Sequence, residues 1–70
     1  MSDWISRVTE ERNELVERIK KLRSFLKQPK PENVSATQWE LMQDQLYAMY
    51  AYSGVLSLRL EEAQESEASI

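Results

Sequence analysis

Residues 36–63 read ATQWELMQDQLYAMYAYSGVLSLRLEEA. Within them Trp39, Met42, Leu46, Met49, Ser53, Leu56, Leu60 and Ala63 follow one another in steps of three and four, the spacing that aligns one face of an α-helix. Ser53 is the break in that row. A second stripe, Tyr47, Ala51, Gly54 and Leu58, is spaced four, three and four on the opposite side, with Ala48 and Val55 beside it. A helix apolar nearly all round is normally buried all round. The segment therefore predicts a helix over about 36–63 that needs a neighbour on each of two faces.

The first neighbour lies upstream. Ile5, Val8, Leu15, Ile19, Leu22 and Leu26 keep the same alternating steps, with Arg12 in the missing place, so a helix is expected over about 4–27. Glu14 precedes Arg18 and Glu17 precedes Lys21 by four residues, the favourable orientation for a helical ion pair. Pro29 and Pro31 end that helix, since proline donates no helical hydrogen bond and restricts the residue before it. The connection spans 28–35. Ser35 is the expected N-cap of the second helix, with Gln38 completing a capping box and Val34 stapling against Trp39. Antiparallel pairing with partner numbers summing to about 65 sets Leu26 by Trp39, Leu22 by Met42, Ile19 by Leu46, Leu15 by Met49 or Tyr50, Val8 by Leu56 and Ile5 by Leu60. It also sets Arg12 opposite Ser53, so both breaks in the seam fall at one level. The fold class is all-α: one domain over 1–70, an antiparallel two-helix hairpin with an acidic flexible tail over 64–70.

A hairpin leaves the outer stripe of the second helix uncovered. Seventy residues sit near the size at which one chain struggles to bury enough apolar surface, and the chain holds neither cysteine nor histidine. Disulfides, thiolate catalysis, the usual zinc ligands and the usual general base are thereby removed. Self-association is the remaining support, as a dimer of hairpins or a tetramer, through Tyr47, Ala51, Gly54, Val55 and Leu58. Glycine inside a helix costs about 0.5–1 kcal/mol relative to alanine, and close approach of a neighbouring helix at Ala51 and Gly54 would offset it. A simple kink after Ser53 is the alternative use of that glycine.

Charge narrows the partners. Residues 1–30 carry eight Lys/Arg against five Asp/Glu, whereas residues 31–70 carry one Arg against seven acids. The overall −3 argues against duplex nucleic acid, which demands many phosphate-neutralising groups. The longest uncharged run, Gln45 to Leu58, is 14 residues, too short for the roughly 20 that span a bilayer. The N-terminal residues lack the basic and apolar regions of a secretory signal; with no cysteine, a cytoplasmic protein is expected.

Candidate chemistry gathers along one flank. Gln45, Tyr52 and Arg59 recur every seven residues, and the register sets Arg18, Glu11 and Trp4 across from them. One reading is a solvated edge, held by Glu11 with Arg59 or Tyr52 and by Arg59 over Trp4, with each exposed pair contributing about 0–1 kcal/mol. The other is a pocket: arginine offers a planar fork to phosphate, and an aromatic ring offers a base a stacking face. Arg7, Arg12 and Arg59 fall within about one to two helical turns of one level, near Tyr52 and Ser53, and could hold an anionic nucleotide where two chains meet. Lys20, Lys21, Arg23, Lys27 and Lys30 form a basic end that compensates the helix dipole or steers anions. No carboxylate pair is placed for hydrolysis, Met42 and Met49 read as core filler, and no enzyme activity, metal or cofactor is expected.

Arg7-Val8, Glu11, Glu14-Leu15, Lys21-Leu22 and Phe25, followed by Leu41, Gln45-Leu46, Met49, Tyr52-Ser53, Val55-Leu56 and Arg59-Leu60, resemble a family of very short phage proteins described as related to a crAss-like phage protein. The likeness covers about residues 7–60. That family overlaps the fourth class of anti-CBASS proteins, tetrameric sponges that sequester cyclic dinucleotide signals without cleaving them. The resemblance implies a homotetramer that binds a cyclic oligonucleotide signal in the infected bacterial cytoplasm. Arg7, Glu11, Gln45, Tyr52 and Arg59 match the family's polar pattern; Trp4 and the two-proline connection depart from it, which leaves the identity of the nucleotide open. The competing expectation is a helical adaptor that docks onto a host or phage protein through the outer stripe.

Overall fold

The computed structural model describes residues 3–68 of the chain, with side chains through residue 65. It is a hairpin of α1 (Asp3–Leu26) and α2 (Ala36–Ala68). α1 starts with Asp3 in its first turn and carries Arg23 in its last, so both ends complement the helix dipole.

The connection is tied from within. Val34 N–H donates to the Pro31 carbonyl at 3.1 Å. Lys30 Nζ donates to the Val34 carbonyl at 2.6 Å and to the Pro31 carbonyl at 3.3 Å. Its ammonium thus serves the turn. Ser35 caps α2: its Oγ accepts from Gln38 N–H at 3.0 Å, and its carbonyl takes the first helical bond, from Trp39 N–H, at 3.0 Å. That satisfies one of the orphan donors of the first turn. Val34 and Trp39, the expected staple, are both half-buried.

α2 ends later than its sequence suggests. The flexible tail expected over 64–70 is helical as far as Ala68, and residues 69–70 lie outside the described residues. Gln64, Glu65, Glu67 and Ala68 are good helix formers, and Ala63 just before them is 6% exposed, which anchors the turn from which they continue.

The core is a single seam. Val8, Leu15, Ile19, Leu56 and Leu60 are buried together, with Ile5, Leu46 and Met49 packed against them. The antiparallel register is set by contacts close to the expected pairing: Phe25 meets Trp39 edge-on, with ring centroids 5.5 Å apart, Glu11 meets Tyr52 and Trp4 meets Arg59. Leu26 and Phe25 are neighbours on α1, and the aromatic one takes Trp39. The seam's two polar breaks are tolerated at half-burial. Ser53 Oγ donates to its own helix at the Tyr50 carbonyl, 3.0 Å away, and Arg12 reaches outward to Asn13 Oδ1 at 3.5 Å. Among the described residues no polar or charged side chain is buried.

The molecule is a rod of 56 × 15 × 15 Å with a radius of gyration of 16.2 Å, against about 11 Å for a compact domain of this length. A rod has much surface for its volume. The outer face of α2 shows it: Tyr47 is 81% exposed, Leu58 64% and Val55 53%. Among the described residues no helix is long and apolar enough to cross a membrane.

Candidate functional site

Two edges run along the seam, and they differ in character. On the first, the heptad spacing of Tyr52 and Arg59 on α2 faces Glu11 and Trp4 on α1. Tyr52 Oη donates a hydrogen bond to a Glu11 carboxylate oxygen. One helical level further along, the Arg59 guanidinium carbon lies 5.8 Å from the centroid of the Trp4 ring, inside the range of a cation–π contact. Both groups are exposed, so each contact is weak and can be exchanged for a ligand at little cost.

Beside that pair lies a cleft of about 390 Å³ lined by Trp4, Val55, Leu58, Arg59 and Glu62. It joins an indole face and a guanidinium to two aliphatic side chains of the outer stripe. The second edge holds Arg23 Nη1 donating to Tyr50 Oη at 3.1 Å and a cleft of about 340 Å³ lined by Ile5, Thr9, Arg12, Leu60, Ala63 and Gln64.

Of the six residues expected to bind a ligand, one chain brings Glu11 to Tyr52 and sets Arg59 one level away. Arg7 turns back to Asp3 Oδ2 at 3.5 Å. Gln45 Nε2 turns along its own helix to Met49 Sδ at 4.0 Å. Arg12 lines the cleft on the second edge. The three arginines therefore do not converge within one hairpin. Thr9 Oγ1 is occupied by the Ile5 carbonyl at 2.8 Å. Among the described residues no three acidic side chains come together as a metal site requires.

Sequence reasoning placed Trp4 on the edge but gave it no site role; its signal was position, across from Arg59 in the register. The Arg23–Tyr50 bond went unforeseen, because those residues are offset by eight in summed number from the register. Helical side chains lean towards their own N-terminus, and in an antiparallel pair Arg23 and Tyr50 lean towards each other, meeting midway.

The profile of the family named Sequestin matches residues 2–62, nearly the whole hairpin and both members of the Trp4–Arg59 pair. The chain belongs to the Sequestin family. The match takes in every residue of the first edge and stops before the last turns of α2. No curated protein and no solved structure matches the chain.

Proposed function

We propose that the chain is a non-catalytic sponge that binds and sequesters a cyclic nucleotide immune signal, and that as a phage counter-defence protein it acts in the cytoplasm of the infected bacterium. The carrying observation is the Sequestin match over residues 2–62, a family whose name speaks of sequestration. The aromatic–arginine edge inside that span supplies suitable chemistry. A guanidinium pairs with phosphate, the Trp4 indole stacks on a base, and Glu11 and Tyr52 offer hydrogen-bonding groups to a sugar or base edge. Arg7, Arg12 and Gln45, apart in one hairpin, join Glu11, Tyr52 and Arg59 where hairpins assemble into a homo-oligomer, a tetramer before a dimer. A sponge works by mass action, so it needs tight binding and slow release.

The experiment is calorimetry against cyclic dinucleotides, cyclic trinucleotides and cyclic ADP-ribose isomers. One class is expected to bind and to be recovered chemically intact after the protein is denatured. No heat with any of them disposes of the sponge, and a cleaved product makes the protein an enzyme. Arg59→Ala is expected to leave the helical content unchanged, since the side chain is exposed. It should weaken binding about 10- to 100-fold, the cost of one charge-assisted hydrogen bond of roughly 1.5–3 kcal/mol.

The exposure of Tyr47 and Leu58 favours one further reading, an adaptor that docks a host or phage protein on the outer stripe. It predicts a single chain or weak dimer in solution and co-purification of one defined protein.

A further inference from the structure

We infer that the outer face of α2 pairs antiparallel with the same face of a second copy, about a two-fold axis between Ala51 and Gly54, and that this pairing closes the Trp4–Arg59 cleft with the copy's Tyr47. The inference rests on the sequestration reading only for what the cleft holds; the pairing stands on its own observations.

The first is Gly54. α2 runs through it without a break, its φ is not positive, and a Cβ added there would meet nothing within 4 Å. Neither the backbone nor the packing of a single chain asks for glycine, although its presence costs stability. A close neighbour from outside the chain explains it.

The second is the order of sizes. Tyr47, Ala51, Gly54 and Leu58 run large, small, small, large about a centre between 52 and 53, the midpoint of α2 (Ala36–Ala68). Antiparallel pairing there sets Ala51 against Gly54 of the copy and Tyr47 against Leu58 of the copy, with the two α2 helices overlapping along their full length.

The order of sizes sets the direction, and the dipoles of two antiparallel α2 helices oppose favourably. Beyond the apolar stripe the same register brings Glu40 towards Glu65 and Asp44 towards Glu61 of the copy, so charge at the contact does not add to it.

Area is sufficient. An aromatic side chain carries on the order of 200 Å², so Tyr47 and Tyr50, 81% and 43% exposed, leave roughly 250 Å² per chain. Val55, Leu58 and the small residues between them bring the face towards the roughly 600 Å² per partner at the lower end of standard interfaces.

Leu58 and Val55 are walls of the Trp4–Arg59 cleft. A copy's Tyr47 against Leu58 adds a phenol ring on the open side, so that each pair of chains holds two equivalent clefts with an indole, a guanidinium and a phenol apiece. The rings suit a planar base and the Arg59 guanidinium an adjoining phosphate, with the Glu62 carboxylate on the same wall left to the base's hydrogen-bond donors.

The absence of cysteine makes the test clean. Tyr47→Cys and Leu58→Cys chains are mixed without nucleotide, oxidised and weighed by mass spectrometry. Disulfides are expected between unlike chains and not between like ones. Like positions lie about 16 Å apart along the antiparallel helices at 1.5 Å per residue, beyond the roughly 7 Å limit of a disulfide. Glu40→Cys with Glu65→Cys, in line with the stripe and in the same register, repeats the test two turns further out with the apolar residues intact. Like-chain disulfides, or none from either pair in chains that keep their helical signal, overturn the inference. Cross-linking in the expected pattern by a protein that binds no nucleotide would retain the interface and remove only the sponge.

Discussion

Leu56→Ala is expected to lower the thermal midpoint by about 15–25 °C. Leu56 is 1% exposed and lies in the middle of the only apolar cluster the hairpin has among its described residues. Truncating such a leucine costs about 3–5 kcal/mol, through lost transfer and the cavity left behind. A domain of this length holds on the order of 4–10 kcal/mol in all, and each kcal/mol moves the midpoint by about 4–8 °C. Leu41→Ala, at a 51% exposed site on the same helix, is the control and should move it little. A melt followed by far-ultraviolet circular dichroism reads both. Equal midpoints for Leu56→Ala and the parent would mean that the seam does not hold the hairpin.

The second large effect concerns assembly. Ala51→Glu puts two carboxylates against the centre of the proposed pairing, where each would be desolvated without a partner. That costs at least about 3 kcal/mol, or more than a hundredfold in the dissociation constant. Gly54→Leu acts by bulk at the same place, in space that is open within one chain. Both variants are expected to keep their helical signal at high concentration yet sediment at a lower mass than the parent. Gly54→Leu at unchanged mass would mean the interface lies elsewhere.

The hairpin was legible because its determinants are local. Apolar steps of three and four, Pro29 and Pro31, and the Ser35 cap are read within a few residues of one another, and the pairing near a sum of 65 follows from aligning two such rows. The end of α2 was less legible. An acidic stretch reads equally as a frayed tail or as a run of helix formers, and the burial of Ala63 that decides between them is a tertiary fact. At the site, Glu11 with Tyr52 and Arg59 over Trp4 were foreseen as contacts, since both pairs face each other directly. Arg7 and Gln45 were not separable from them by spacing. Each has an intrahelical neighbour four residues away, Asp3 and Met49, which takes it up in the single chain. Phe25 against Trp39 and Arg23 to Tyr50 depend on side-chain reach and lean, which residue spacing alone does not carry.

Everything assigned to the outer face of α2 requires copies of the chain to cover one another, and the mass of the folded particle tests that most directly. Light scattering at micromolar concentration is predicted to give two or four times the 8.3 kDa of one chain, with the helical signal of a folded protein. A fully helical particle of 8.3 kDa would contradict the account.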